Sequence, residues 1–101
     1  MPWFEGGMSA LSEFLRTNVG YPESDRTNDI EGVSYVTFEI DESGDLMNVR
    51  IYPGTESKAT ESMHKEGLRV VALMPPWTPG TLEDNRPVQV RYSIPIRFKL
   101  R

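Results

Sequence analysis

The sequence predicts an α+β fold: two helices packed on one face of a three-stranded antiparallel sheet, in the order α-β-β-α-β. Three observations predict it. Two short runs of period-2 alternation flank a glycine-bearing turn, Asp41-Glu42-Ser43-Gly44-Asp45. A longer alternation closes the chain. Two segments with apolar residues at helical spacing stand before the first run and between the second and third.

The first helix is read from Gly7 to Asn18. Met8, Leu11, Phe14 and Leu15 fall near one face, with Glu13, Arg16 and Thr17 elsewhere. Gly20 and Pro22 stop it. Glu23 to Asp29 is polar and reads as a loop with a short helical turn at Glu23 to Arg26. Gly32 opens a strand in which Val36, Phe38 and Ile40 face one way and Thr37 and Glu39 the other. The turn after it offers Gly44 for a left-handed position. In the second strand Met47, Val49 and Ile51 alternate against Asn48 and Arg50, and Pro53-Gly54 ends it. The second helix begins between Ala59 and His64 and runs to about Met74. Its apolar positions are Met63, Val70, Val71 and Met74, with Leu68 and Leu73 beside them, and Pro75-Pro76 terminates it. Trp77-Thr78-Pro79-Gly80 reads as a rigid turn, and Thr81 to Arg86 as a polar loop.

The last segment carries the most information. Val88, Val90, Tyr92, Ile94, Ile96, Phe98 and Leu100 occupy even positions; Gln89, Arg91, Ser93, Pro95, Arg97 and Lys99 occupy the odd ones. As one strand it would extend roughly 43 Å at about 3.3 Å per residue, further than either hairpin strand can cover. Pro95 has no N–H for a ladder, which assigns the strand to an edge. The second helix crosses over to lay this strand beside the hairpin.

Composition removes much chemistry. At 101 residues, 38% hydrophobic and 26% charged, the chain has the make-up of one small folded domain. It has no cysteine and one histidine, so thiolate sites, disulfides, cysteine nucleophiles and histidine-rich metal clusters are excluded. No nucleophile–base pair suggests itself. No apolar run is long enough to span a bilayer and the first residues lack a signal peptide, so the chain is either cytosolic or part of a longer one. The net charge of −4 hides an asymmetry: all 15 acidic residues lie in residues 1–85, while Arg86, Arg91, Arg97, Lys99 and Arg101 stand alone in residues 86–101. Nucleic acid is not an expected partner, but the last strand is locally basic.

The order and spacing of several short motifs resemble the C-terminal domain of TonB, the energy transducer of Gram-negative bacteria, in the version common in Bacteroidetes. They are Phe4-Glu5-Gly6-Gly7, Ala10-Leu11, Phe14-Leu15, Tyr21-Pro22, Ile30-Glu31-Gly32-Val33, Val36-Thr37-Phe38, Gly44, Asn48-Val49, Leu68-Arg69-Val70-Val71, Met74-Pro75, Trp77-Thr78-Pro79-Gly80, Pro87-Val88 and Ile94-Pro95-Ile96-Arg97-Phe98. The resemblance covers nearly the whole chain. Between Gly54 and Leu68 the chain is longer than the usual pattern by about four residues, about one helical turn. Gly67 stands where the family often has alanine, at a cost of roughly 1 kcal/mol in mid-helix.

The resemblance implies a periplasmic, non-enzymatic domain without cofactor, at the end of a chain anchored in the inner membrane by a segment absent here. Its partners would be outer-membrane transporters, whose TonB-box peptide adds as a strand to the last strand, and, through the missing N-terminal part, an inner-membrane ExbB/ExbD-type motor. The residues expected to meet the peptide are Tyr21, Pro22, Val88, Gln89, Val90, Arg91, Tyr92, Ser93 and Ile94. An exposed edge supports the same mode on physical grounds, since unpaired N–H and C=O groups template another strand; it also admits a homodimer through that edge. Arg91, Arg97 and Lys99 either steer acidic partner segments or blunt the edge against aggregation. Tyr21-Pro22 is either a partner contact or a helix stop that packs tyrosine on the core. Trp77 is expected to anchor the core, Met8, Met63 and Met74 to fill it, His64 to lie solvated on its helix, and Gly6-Gly7 to form a bend. An alternative function keeps the fold: a TonB-like interaction domain fused to a membrane metallopeptidase-type sensor, which the sequence preceding residue 1 would distinguish.

Overall fold

Helix α1 (Gly7–Asn18) and the short α2 (Glu23–Thr27) precede the hairpin of β1 (Gly32–Ile40) and β2 (Leu46–Ile51). Helix α3 (Glu61–Ala72), the two-residue strands β3 (Gly80–Thr81) and β4 (Pro87–Val88), and β5 (Val90–Phe98) complete the chain. The computed structural model describes residues 3–52, 58–81 and 86–100. The expected stop at Pro53-Gly54 lies outside these residues, as does most of the loop between Thr81 and Arg86. The sheet is antiparallel, in the order β2-β1-β5, so the crossover through α3 returns the chain to the far side of the first strand. None of the described helices is long and apolar enough to cross a membrane.

The alternation read in β1 and β5 places the core. Val36, Phe38 and Ile40 are fully buried, and Ile94, Ile96 and Phe98 nearly so. Met63 and Val71 of α3, Met74 just beyond its end and Leu11 of α1 close over them, together with Phe4 and Trp77. Trp77 stacks edge-on against Phe4 and Phe38 and lies 5.3 Å from the Tyr92 ring, so it anchors the core as expected. Helix α3 is capped by Thr60, whose hydroxyl accepts from the Met63 N–H and donates to Oδ2 of the buried Asp25 on α2.

Five sequence expectations need correction. Trp77-Thr78-Pro79-Gly80 is not a turn: Thr78 bridges Trp3 antiparallel and Gly80 opens β3. The thirteen-residue final strand is divided: Val88 and Pro87 pair with Gly80 and Thr81 in a separate ribbon, and Val90 to Phe98 pair with β1 from Ile40 to Gly32. The length of β1 sets this limit; beyond it the Leu100 N–H bonds the Glu31 carboxylate. In β2, Leu46, Val49 and Ile51 pack on the core while Met47 is exposed. A bulge between the Thr37↔Arg50 and Glu39↔Met47 pairs inserts a residue, with Asn48 at φ 58°, and turns the alternation over. Met8 is also exposed; the bend at Gly6 and Gly7 folds Phe4 into the core place instead, against Phe14. His64 is not fully solvated, since its Nδ1 lies 2.7 Å from Oγ of the buried Ser34.

Gly67 explains that contact. A Cβ there would stand 3.1 Å from Val36 Cγ2 and 3.2 Å from Ser34 Oγ. The glycine weakens α3 locally but lets it lie closely on β1.

Candidate functional site

Both outer strands of the sheet present an edge, and the two edges differ. On β2 the bulge at Asn48 breaks the regular spacing, and Arg50 Nη1 donates to the Asn48 carbonyl at 2.6 Å, occupying an acceptor on its own strand. On β5 the strand is regular over its nine residues and, among the described residues, pairs only with β1.

The register fixes which backbone groups of β5 point outward. In an antiparallel ladder, residues alternate between bonding one neighbour and the other. The Tyr35 carbonyl accepts from the Tyr52 N–H at 2.8 Å, so Tyr35 directs its backbone toward β2. Pro95, its partner on β5, therefore sits at a non-hydrogen-bonded position and turns its backbone away from β1. By the same parity Arg91, Ser93 and Arg97 direct their N–H and C=O groups to the open edge. Pro95 costs the β1–β5 ladder nothing and deletes one donor from the outer row.

Beyond the C-terminal half of this edge lies a groove of about 410 Å³. One wall is residues 95–99; the other is Ser12, Leu15 and Arg16 of α1, continued by Val19 and Tyr21. Tyr21 is half-buried, stands edge-on to Phe98 at 5.6 Å and donates its hydroxyl to the Ile30 carbonyl. Partial burial, then the nearby Glu31, Asp25 and Asp29, push its phenol above the ordinary value of 10.0. Tyr21 is thus both packed on the core and part of the groove wall. Arg97 and Lys99 line the groove as cations, whereas Arg16 is engaged with Glu13.

On the sheet face opposite the helices, Glu39 Oε1 accepts from Asn48 Nδ2 at 2.8 Å, and Oε2 faces Arg50 at 3.1 Å and Arg91 at 3.9 Å. The Asn48 bond, opposed by burial and joined by the two arginines, holds this carboxyl below the ordinary 4.5. Arg91 is therefore tied loosely to its own sheet.

The residues singled out from sequence fall into separate places. Val90, Arg91, Tyr92, Ser93 and Ile94 lie on β5, but Tyr92 and Ile94 turn inward and only Arg91 and Ser93 turn their backbone groups outward. Val88 belongs to β4 and Gln89 links the two strands. Tyr21 meets the other end of β5, at Phe98, and Pro22 caps α2. Leu15, Val19, Arg97 and Lys99 were not singled out as groove residues. Their grouping depends on how α1 and β5 meet, which local periodicity does not reveal.

The match to a family model described as the Gram-negative bacterial TonB protein C-terminal covers residues 17–100. No curated protein matches. Two solution structures of the Helicobacter pylori TonB C-terminal domain share the fold. One, of its residues 179–285, superposes with a TM-score of 0.66 at 21% identity, covering 89% of this chain and 77% of that one. The other, of residues 194–285, gives 0.67 at 20% identity, covering 93% and 94%. With the family match spanning α3, the whole sheet and the end of α1, this chain belongs to the TonB C-terminal domain family.

Proposed function

We propose that this chain is the periplasmic C-terminal domain of a TonB-type energy transducer, and that it binds the TonB-box peptide of outer-membrane transporters by strand addition on β5. The observation that carries this reading is the open β5 edge, with the outward backbone groups of Arg91, Ser93 and Arg97 in one row. An extended peptide would bond the Arg91 and Ser93 groups, cross the gap at Pro95 and resume at Arg97. Its side chains on one face would enter the groove beside Leu15, Val19 and Tyr21. Main-chain bonds supply affinity with little dependence on sequence, which suits a module serving several transporters. Arg97 and Lys99 favour an acidic residue at the groove end of the peptide.

In this reading residues 1–101 form one domain of a longer chain. A preceding segment anchors it in the inner membrane, an ExbB/ExbD-type motor drives it, and force from the proton gradient reaches the transporter through the added strand. The domain needs no catalytic group for this.

Titration of the ¹⁵N-labelled domain with a TonB-box peptide tests the docking step. Amide shifts are expected along β5 and at Val19 and Tyr21. Shifts confined to α2 and the outer face of α3, or no binding at millimolar peptide, would overturn it. Sedimentation of the free domain separates peptide pairing from pairing with a second copy through the same edge.

A further inference from the structure

Helix α1 forms one wall of the groove, yet it buries only Leu11 fully. What fixes its end is a charged pair on α3. Glu66 Oε2 accepts from the Gly20 N–H at 2.6 Å, while Arg69 binds both Glu66 oxygens, at 2.8 and 2.6 Å. Arg69 Nη2 also donates to the Asn18 carbonyl at 2.8 Å. This carbonyl lies at the C-terminus of α1, where a cation is favoured by the helix dipole. The Glu66 side chain is only 15% exposed. The Arg69 bond, against some burial and with help from the Gly20 N–H, keeps its carboxyl below 4.5, so the clamp is charged at neutral pH.

We infer that Glu66 and Arg69 are positioning residues for the partner strand: they hold the exit of α1, and with it Leu15 and Val19, at the distance from β5 that a peptide side chain requires. Neither residue lines that groove; both line a separate depression beside Gly20 and Tyr21, together with Ser62 and Lys65 of the same helix. Their bonds reach the groove only through the backbone of Asn18 and Gly20. Wall residues ordered beforehand need not be ordered on binding, and preorganisation of this kind raises affinity without a new contact. The inference rests on the strand-addition reading above.

The test is a double-mutant cycle between the domain and a TonB-box peptide, each affinity measured by calorimetry. Wild type is titrated first. Glu66→Ala is expected to weaken the peptide by about three- to tenfold, the effect of ordering one or two further groups on binding. Gly20 amide exchange should accelerate while the amides that bond β1 to β5 stay protected. Lys65→Ala, at a residue that lines the same depression without bonding α1, should change neither quantity. A second peptide carries alanine in place of its groove-facing apolar residue. That truncation should cost less against Glu66→Ala than against wild type, because a displaced wall no longer grips the side chain. If Glu66→Ala does not fold, Glu66→Gln keeps the shape and one acceptor, and the same cycle is run with it.

Additive losses, or an unchanged affinity with Gly20 deprotected, would overturn the positioning role and leave strand addition standing. Failure of the wild-type domain to bind the peptide would overturn strand addition itself, and the positioning role with it.

Discussion

Replacing Pro95 by alanine restores an N–H to the middle of β5, and the register says where that donor points. Tyr35 bonds Tyr52 across the hairpin, so its partner Pro95 faces away from β1. The β1–β5 ladder has no vacancy for the new donor, and fold stability should not rise. It should fall slightly, by about 0.4–1 kcal/mol, because the unfolded chain regains the freedom that proline removes. The outer row, by contrast, gains a donor between Ser93 and Arg97. A docked strand would make one more main-chain bond, with a net value of about 0.5–1.5 kcal/mol, or roughly two- to tenfold in affinity. Urea unfolding gives the first quantity and calorimetric titration with a TonB-box peptide the second. The variant should also self-associate more readily, which sedimentation measures. The opposite pattern, a domain stabilised by 1 kcal/mol or more (on the order of one repaired ladder bond) with peptide affinity unchanged, would show that position 95 faces β1 and that the assigned edge is wrong.

Other perturbations have equally definite outcomes. At Gly44, with φ 90°, a Cβ would lie 1.9 Å from the Trp77 carbonyl oxygen. Gly44→Ala should therefore cost at least about 2 kcal/mol in urea unfolding, the left-handed strain alone being about 1–2. Asparagine, which tolerates that conformation, should fare no better, and a mild Gly44→Asn would refute the clash. Thr60→Ala removes the α3 cap and leaves the Asp25 carboxylate without its hydroxyl partner, so a loss of about 2–3 kcal/mol is expected, whereas Thr60→Ser should stay close to wild type. Glu66 and Glu39 both have folded values below the ordinary 4.5. Their contribution to stability is therefore present above that pH and is lost as pH falls through the folded values. Denaturation followed from pH 7 to 3 should be flat at first and then decline, and Glu66→Gln should shallow the decline; an identical acid limb would refute the assignment.

Where side-chain pattern and local chain geometry agree, the sequence is sufficient. Val36, Phe38 and Ile40 alternate in sequence and are buried in space, and α1 has the bounds that Gly7, Asn18 and Gly20 suggest. Pattern misleads where one residue changes the count. Asn48 adopts a left-handed conformation, and every assignment of face before it in β2 reverses, Met47 included. The end of the last strand is invisible for another reason: alternation continues from Val88 to Leu100, but a strand lasts only as long as its neighbour. The edge position of β5 was legible through Pro95 and the alternation around it. The groove was not. Leu15 and Arg97 are far apart in sequence, and the clamp that relates α1 to α3 joins Gly20 to Glu66 across 46 positions.

The unequal edges of the sheet have a consequence for assembly. Open-ended polymerisation by strand pairing requires two templates on each molecule, one to receive and one to extend. Here β2 is bulged, with its Asn48 carbonyl already taken by Arg50, while β5 remains regular. A molecule with one serviceable template terminates a ladder. Whatever pairs with β5, whether a peptide or a second copy, leaves at the other side of the sheet a bulged β2 edge that extends a ladder poorly.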